Sequence, residues 1–287
     1  MTGFTGAALD RADHLRFRPD ELAAVAARED ARLLDLALLD PVLDETGGLS
    51  WSSMTPGETI FLGFDDGTPL FAPLVEDAPF GRRAWSIFGL LGRMSARDAA
   101  IWATARSLNE WHSGHPFCAR CGSASLAFRA GWGRKCPACQ AEHFPRVDPV
   151  VIMLAEHEGR VLVGRQHQYP PGRYSALAGF VEHGESIEEA VQRELLEEAG
   201  IAISEVRYVA SQPWPFPGSL MIGCHAFAAS DALTLDSTEI EHAIWVDREQ
   251  VREALAGDEH ALFQAPPAYA IANTLLTRWI GNEGEKE

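Results

Sequence analysis

The second half of the chain consists of short apolar runs separated by turn residues, which is the pattern of β-strands. The stretch "VDPVVIMLAEHEGRVLVGRQ" predicts a β-hairpin that turns at Glu158-Gly159. Further strands are predicted for "SALAGFVE", "VRYVASQPW", "LMIGCHAFAA" and "EHAIWVD", and "AYAIANTLLTRWI" predicts an amphipathic helix. Strands that alternate with helices indicate an α+β domain over residues 145–287, with a mixed β-sheet between helical layers.

A second helix of this domain is predicted between Ser186 and Gly200. Ser186 followed three residues later by Glu189 is a capping box, and Gly200 stands where a left-handed C-terminal cap is expected. On a helical wheel the apolar residues form one stripe, which consists of Ile187, Ala190, Val191 and Leu195. We expect this face of the helix to be buried.

Two glutamates of this helix occupy positions where an exposed charge is not expected. Glu194 and Glu198 lie inside or at the edge of the apolar stripe, and Glu197 lies just beside it. Two partly desolvated carboxylates four residues apart repel each other unless a cation lies between them. An acidic surface helix accounts for Glu188 and Glu189 but poorly for the other two. Since hard oxygen ligands suit Mg²⁺ or Mn²⁺, the pattern predicts a divalent metal site.

The first 113 residues predict a separate α/β domain. Helical patterns occur in "RPDELAAVAARED" and "SARDAAIWATARSLNEWH", and "ETIFLGF" has the pattern of a strand. A chain of 287 residues is long enough for two domains that each have a core. This region holds no motif that indicates chemistry, so its role stays open.

The formal net charge of −17 argues against a general nucleic-acid-binding protein, because phosphate backbones are bound by Lys and Arg. Residues 114–146 depart from that average, with five Lys or Arg against a single Glu. This excess either helps an anionic ligand approach or is an ordinary basic surface patch.

No apolar run approaches ~18 residues and the start of the chain has no signal-peptide pattern, so we expect a cytoplasmic protein with no membrane partner.

The segment 114–144 contains four of the five cysteines. They form two C-x₂-C pairs separated by fourteen residues, Cys118, Cys121, Cys136 and Cys139. This spacing predicts a zinc ribbon in which each pair supplies two thiolates to one structural Zn²⁺. Disulfides are the alternative, but a chain without a secretory signal is expected where thiols stay reduced. His112, His115 and His143 flank the site, although four thiolates already complete the shell, and Cys224 is expected to be an ordinary buried thiol.

Residues 179–201 resemble the Nudix box, the signature of the Nudix hydrolase family. Every fixed position of the box is matched, by Gly179, Glu185, Arg193, Glu194, Leu195, Glu197, Glu198, Gly200 and Ile201. The resemblance implies a Nudix fold and the attack of water on a phosphoanhydride linked to a nucleoside. It implies that Glu194 and Glu198 bind metal and that Glu197 is a third acidic member of the site. It also implies that Glu185 pairs with Arg193.

The stretch "SQPWPFPGS", residues 211–219, begins ten residues after the box. Its three prolines make a stiff backbone that would hold Trp214 and Phe216 at low entropic cost, and for this stretch alone a rigid surface turn is the alternative. Together with the box and the four cysteines, it is similar to the signature of the NADH pyrophosphatase branch of the family. This resemblance covers residues 114–280 and implies two further metal ligands, the carbonyl of Ala178 and the carboxylate of Glu239.

The branch resemblance implies a substrate that contains a nicotinamide ring, a pyrophosphate and an adenosine. Phe180 would stack on the nicotinamide, and Phe144 would face the same ring from the partner subunit of a homodimer. The family usually has Tyr at the latter position, so a hydroxyl hydrogen bond would be lost. Ala272 would contact the substrate through its backbone. The signature residues would line the pocket, namely Gln212, Pro213, Trp214, Pro215, Phe216, Pro217, Gly218 and Ser219.

The implied function is metal-dependent hydrolysis of NADH or NAD⁺ to nicotinamide mononucleotide and AMP, and removal of NAD caps from RNA to leave 5′-monophosphate ends. An ADP-ribose or nucleotide-sugar pyrophosphatase shares the box and is one alternative. A non-catalytic zinc-ribbon binding module is the other, and the intact Glu194, Glu197 and Glu198 argue against it. The preference among NADH, NAD⁺ and capped RNA, the general base, and the number of catalytic metal ions stay open.

Overall fold

The computed structural model describes residues 2–75 and 86–281. Contacts within the described chain divide it into two compact units. One unit comprises residues 4–147 and 214–218, and the other comprises residues 2–3, 148–213 and 219–281. Parts of the predicted domains lie outside the described residues, namely residue 1, residues 76–85 and residues 282–287.

The first unit combines short strands with three described helices, α1 (Pro19–Ala26), α2 (Ser86–Leu91) and α3 (Ala96–Gly114). A 3₁₀ turn at Asp13–Phe17 precedes α1. The strands are β1 (Arg32–Leu34), β2 (Leu36–Ala37), β3 (Asp40–Pro41), β4 (Trp51–Ser53), β5 (Thr59–Asp65), β6 (Thr68–Pro73), β7 (Leu126–Phe128), β8 (Gly133–Lys135) and β9 (Glu142–His143). The order β4-β1-β6-β5 forms one sheet, and β7-β8-β9 form a small sheet in the cysteine-containing segment.

The predicted elements of this unit are present, with one difference in length. The strand in "ETIFLGF" is β5, and the helix in "SARDAAIWATARSLNEWH" is α3. The start of α3 is capped by Ser95, whose hydroxyl accepts a hydrogen bond from the backbone of Asp98 at 3.0 Å. The first helix, α1, ends at Ala26, earlier than "RPDELAAVAARED" indicates. None of the residues of α1 is buried, so little packing stabilises a longer helix.

The second unit is built on a six-stranded mixed sheet. Its strands are β10 (Asp148–His157), β11 (Arg160–Gln166), β12 (Leu177–Phe180), β13 (Ile203–Trp214), β14 (Ser219–Ala228) and β15 (Ile240–Val246). The order is β13-β14-β10-β11-β15, and β12 pairs with β10. The β10–β14 pair is parallel, whereas β10 is antiparallel to β11 and β12. The predicted hairpin turns at Glu158 and Gly159, which both have positive φ, at 47° and 75°.

The sheet lies between helical layers, as the sequence predicts. Val151 and Met153 of β10 belong to a core cluster with the apolar residues of α4 (Ile187–Ala199). The alternate residues Ile152 and Leu154 belong to a second cluster with α5 (Arg248–Ala256) and α6 (Ile271–Gly281). The helix α5 is an addition to the two helices predicted for this domain. No helix in the described ranges combines the length and the apolar character that crossing a bilayer requires.

Candidate active site

The helix α4 carries most of the acidic residues, and both of its ends are capped as predicted. The Ser186 hydroxyl accepts a hydrogen bond from the backbone of Glu189 at 3.2 Å, and the Glu189 carboxylate accepts one from the backbone of Ser186 at 2.7 Å. Gly200 adopts a left-handed φ of 70°. Ala190, Val191 and Leu195 are fully buried, whereas Ile187 lies at the exposed edge of the stripe. The caps fix both ends of the helix, and on its buried side Glu194 meets Gly179 of β12.

Gly179 of β12 makes room for the carboxylate of Glu194. A β-carbon on residue 179 would lie 1.9 Å from Cδ and 2.0 Å from Oε1 of Glu194. The φ of Gly179 is outside the left-handed region, so backbone strain does not explain why glycine stands here. Glycine is needed because a side chain approaches the backbone of the strand closely.

Arg193 connects four groups around this carboxylate. Its Nε and Nη2 donate to the two oxygens of Glu185 at 2.6 and 2.9 Å, and Nη2 also donates to the carbonyl of Phe180 at 2.8 Å. Its Nη1 donates to Glu194 at 2.8 Å and to Glu197 at 3.0 Å. The bidentate hydrogen bonds from Arg193 lower the pKa of Glu185 to about 2, and the backbone N–H of Glu182 contributes to the same effect. Glu185 is therefore an ionised anchor for the arginine.

Glu198 is the most deeply buried carboxylate of the helix, with 2% of its surface exposed. Its Oε2 has no hydrogen-bond partner among the described residues. Burial raises the pKa of Glu198 to about 8, and the nearby charges of Glu194 and Glu239 act in the same direction. Burial also raises the pKa of Glu194, although its hydrogen bond with Arg193 opposes this shift. An orphaned buried oxygen among carboxylates fits a divalent cation, which would supply the missing counter-charge.

The loop before β15 brings two more acidic residues to the end of α4. The backbone of Asp236 donates to the carbonyl of Glu198 at 3.0 Å, and the backbone of Glu239 donates to the carbonyl of Asp236 at 3.2 Å. Both carboxylates raise the pKa of Glu198. Glu239 is expected from the family resemblance, whereas Asp236 is not. The signal for Asp236 is the "DST" turn, in which its carboxylate accepts from the backbone and the hydroxyl of Thr238.

The four predicted zinc ligands form one cluster. Their Sγ atoms all lie within 4.8 Å of one another, and Cys118–Cys139 and Cys121–Cys136 are separated by 3.6 and 3.5 Å. Thiolates around a tetrahedral Zn²⁺ at a Zn–S distance of 2.3 Å would be about 3.8 Å apart, so this donor set fits zinc. Across the described ranges, this is the one group of three or more His, Cys or acidic side chains with such close ligand atoms. The acidic residues are therefore less tightly clustered than the cysteines.

The chain around the cysteines repeats the same turn twice. Gly122 and Gln140, which each follow the second cysteine of a pair, have positive φ values of 76° and 61°. Of the flanking histidines, His143 lies 3.2 Å from the sulfur of Cys118, whereas His112 and His115 are hydrogen-bonded to the backbone carbonyls of Gly131 and Trp111. Cys224 is fully buried as predicted, and burial raises the pKa of its thiol to about 11.

Comparison with known proteins gives matches along most of the chain. Family models match residues 11–111 (NADH pyrophosphatase-like rudimentary NUDIX domain), residues 113–144 (NADH pyrophosphatase zinc ribbon domain) and residues 145–265 (NUDIX domain). The chain is 36% identical over 294 residues to the NAD-capped RNA hydrolase NudC of Mycobacterium bovis (strain BCG / Pasteur 1173P2), and the match covers 96% of this chain and 93% of that protein. The chain belongs to the Nudix hydrolase family.

Two human Nudix relatives match a smaller share of the chain. Identity is 45% over 198 residues with the NAD-capped RNA hydrolase NUDT12 of Homo sapiens, covering 66% of this chain and 43% of that protein. Identity is 39% over 201 residues with the mitochondrial NAD(P)H pyrophosphatase NUDT13 of Homo sapiens, covering 66% of this chain and 57% of that protein. The Nudix chain described here spans about half the length of these human relatives.

The predicted stacking residues of this Nudix chain are exposed. Phe180 ends β12 one residue after Gly179, and 61% of its surface is exposed, so it is not a core residue. Phe144, in the other unit, is 43% exposed. Ala272 lies in the first turn of α6 with a buried side chain. The exposure of Phe180 leaves its ring accessible to a ligand.

The signature segment of the Nudix chain is largely interior. Gln212 is fully buried, donates to the carbonyls of Gly3 and Tyr269 at 3.0 and 2.6 Å, and accepts from the backbone of Ile271 at 2.8 Å. Pro215, Phe216 and Ser219 are also buried, Trp214 and Gly218 are partly exposed, and Pro213 and Pro217 are exposed. In the unit that contains residues 214–218, the rings of Trp214 and Phe216 pack against Phe4 and Phe88. Pocket lining by the whole segment stays a prediction, since half of it has little free surface.

Proposed function

We propose that this Nudix chain hydrolyses the pyrophosphate of NADH or NAD⁺ to nicotinamide mononucleotide and AMP, and that it removes NAD caps from RNA to leave 5′-monophosphate ends. The names of the NudC, NUDT12 and NUDT13 relatives support this substrate class. The observation that carries the proposal is the exposed ring of Phe180 next to Gly179, against which Glu194 packs. A substrate in which a planar aromatic ring is joined to a pyrophosphate fits these residues. Its ring would stack on Phe180, and its phosphates would be bound by the acidic residues through a cation.

The acidic residues have distinct roles in this proposal. Glu194, Glu198, Glu239 and the carbonyl of Ala178 would hold Mg²⁺ or Mn²⁺, which neutralises charge on the phosphoryl oxygens when bound. Arg193 holds Glu194 in place and is itself held by Glu185. The side chain of Glu197 is 61% exposed, so it is accessible to water at the edge of the site. The structural Zn²⁺ would be held by the four cysteines, Cys118, Cys121, Cys136 and Cys139.

We further propose three domains, at residues 1–113, 114–144 and 145–287, and the bounds of the matching family models support this division. A homodimer in which Phe144 of one subunit faces the nicotinamide bound to the other is part of the same proposal. So is a cytoplasmic location, where thiols stay reduced and the four clustered cysteines are available to zinc. Sedimentation of the purified chain tests the dimer, and fractionation of cells that express it tests the location.

Product analysis tests the proposed reaction. The purified full chain is incubated with NADH, NAD⁺, ADP-ribose or an NAD-capped RNA in the presence of Mg²⁺ or Mn²⁺, and the products are separated by chromatography. We expect nicotinamide mononucleotide from NAD⁺, its reduced form from NADH, AMP from both dinucleotides, and a 5′-monophosphate RNA from the capped RNA. Glu198→Gln is the control and should be inactive on every substrate. Turnover of ADP-ribose with no turnover of NADH or NAD⁺ would instead identify an ADP-ribose pyrophosphatase.

A further inference from the structure

One surface of the zinc-containing unit alternates aromatic rings with cations. This basic aromatic face consists of Phe17, Phe128, Arg129, Lys135 and Phe144. The guanidinium carbon of Arg129 lies 4.0 Å from the ring centre of Phe17, 5.0 Å from that of Phe144 and 5.7 Å from that of Phe128. The ammonium nitrogen of Lys135 lies 5.8 Å from the ring centre of Phe128. One arginine is therefore surrounded by three rings on the surface of a single unit.

The rings of this face are not part of a core. Phe17 is 54% exposed and Phe144 is 43% exposed, and Leu126, two residues before Phe128 on β7, is 61% exposed. Single exposed apolar residues are common, but a contiguous group of large ones usually marks a binding surface. Phe17 and Phe128 therefore offer flat apolar platforms to a partner, whereas Phe144 is reserved for the nicotinamide in the proposed dimer.

The charge of this face is positive, in contrast to the net charge of −17 for the whole chain. The backbone carbonyl of Arg129 accepts a hydrogen bond from Trp132, whereas its guanidinium makes no ion pair or hydrogen bond with another protein group in the described ranges. Two further arginines of the same unit lie over the ring of Trp132, with Arg16 at 3.8 Å and Arg11 at 5.6 Å from its centre. The opposing acids are Asp13, which pairs with Arg16, and Glu142, which pairs with Lys135. Arg129 therefore remains available to an external anion.

We propose that the basic aromatic face binds single-stranded RNA. Unpaired bases stack on exposed rings, and an arginine between the rings contacts the phosphates that connect those bases. Every base has a π-face, so the contact needs no particular sequence. In the context of the proposed function, which this inference extends, the ligand is the RNA body of an NAD-capped substrate.

Binding of an RNA that carries no cap tests this inference directly. The probe is an unstructured twelve-nucleotide RNA with a 5′-monophosphate and a 3′ fluorophore, titrated with the full chain and followed by fluorescence anisotropy at several salt concentrations. We expect Phe17→Ala to weaken binding about 5- to 150-fold, the range for loss of one base–aromatic stack. Arg129→Asn should also weaken binding and should reduce the slope of log K against log salt by about 0.7, the value for one phosphate contact on a single strand.

The variants are chosen to preserve the fold. Arg129 has a left-handed φ of 54°, a conformation that Asn tolerates well, so Arg129→Asn should melt at the wild-type temperature. Arg252→Gln removes one positive charge from an exposed ion pair on α5, in the other unit, and should leave RNA binding unchanged. Phe144 is not varied, because it is already assigned to the substrate.

Activity measurements separate this inference from the proposed function. Phe17→Ala should hydrolyse NADH at the wild-type rate, while KM for NAD-capped RNA rises and kcat changes little. If the wild type binds the RNA through this face but hydrolyses neither NADH nor capped RNA, the proposed function fails and this inference stands. Equal RNA binding by all variants would overturn the inference. A change from dimer to monomer on Arg129→Asn, measured by sedimentation, would also overturn it and would identify the face as an interface between two copies of the chain.

Discussion

The carboxylate of Glu194 lies directly against the backbone of Gly179, so that a β-carbon on residue 179 would come within 1.9 Å of Glu194 Cδ. We expect Gly179→Ala to displace Glu194 by more than 1 Å from its place beside β12. A misplacement of that size in an active site costs about 100-fold in rate. Steady-state kinetics with NADH should show a fall of this order in kcat/KM, together with a lower melting temperature.

A double-mutant cycle separates the clash from other effects of the added methyl group. In the Glu194→Ala background no carboxylate remains for the new β-carbon to meet, so adding Gly179→Ala should change the melting temperature little. If Gly179→Ala lowers the melting temperature equally in both backgrounds, the close contact with Glu194 is not the reason for glycine at this position.

The second feature that the site requires is the planar guanidinium of Arg193, which donates hydrogen bonds to several groups at once. Arg193→Lys keeps the positive charge but loses the bidentate pair with Glu185 and the bond to the carbonyl of Phe180. Groups that orient metal ligands typically contribute 10- to 100-fold to metal affinity or activity, and we expect kcat to fall by about that factor. Arg28→Lys is the matched control, because Arg28 forms a bidentate pair with Asp30 on an exposed surface. Wild-type activity of Arg193→Lys would contradict the assigned role.

The raised pKa of Glu198 predicts a pH-dependent affinity for the catalytic cation. With a folded-state pKa of about 8, the carboxyl is protonated at neutral pH when no metal is bound, and a cation must displace that proton. The apparent affinity for Mn²⁺ should therefore rise about tenfold per pH unit between pH 6 and pH 8 and then level off. Isothermal calorimetry of wild type and Glu198→Gln measures this, and the variant should lose the pH dependence due to this group.

The same pKa has a consequence for the stability of the protein without added Mg²⁺ or Mn²⁺. Since the folded-state pKa of Glu198 is raised from its ordinary value of 4.5, its favourable contribution is fully present below pH 4.5 and is lost as the pH rises to about 8. The melting temperature of the wild type should fall over this window more steeply than that of Glu198→Gln. Parallel curves for the two proteins would show that Glu198 has an ordinary pKa.

The cysteine cluster predicts a structural zinc ion. Cys136 is fully buried among the four thiols, so Cys136→Ser should release zinc and lower the melting temperature or prevent folding, because zinc binding contributes directly to the free energy of folding. Cys224→Ser is the control, since this buried thiol lies outside the cluster and its loss should leave the zinc content unchanged. Elemental analysis of the purified wild type must find zinc. A zinc-free, fully folded wild type would exclude this role.

The fold of the second unit, which contains α4 and the six-stranded sheet, follows largely from local patterns in the sequence. Helix α4 was predictable because Ser186, Glu189 and Gly200 cap it through contacts within the helix and its ends. Helix α5 has similar signals, a capping box of Asp247 and Gln250 followed by Gly257, but only two of its residues are buried. Val251, Ala254 and Leu255 nevertheless form one apolar stripe, so α5 was predictable by the same argument as α4.

The candidate site was predictable where one short motif contains all of its partners. Glu185 and Arg193 belong to the same box, so their pairing could be expected from the family resemblance. The burial of Gln212 could not, because its partners Gly3 and Tyr269 lie 209 and 57 residues away in the chain. Only the tertiary fold brings these groups together, so a substrate-binding role and an interior structural role look alike in the sequence.

The central claim is that this site selects a substrate by its nicotinamide ring, and the most direct test is to compare kcat/KM for NADH and ADP-ribose between the wild type and Phe180→Ala. The exposed ring of Phe180 should contribute roughly 1–3 kcal/mol of stacking, so the variant should lose about 5- to 150-fold on NADH. ADP-ribose has no nicotinamide ring, and its kcat/KM should be nearly unchanged, as should the melting temperature. An equal loss on both substrates with a lowered melting temperature would contradict the claim.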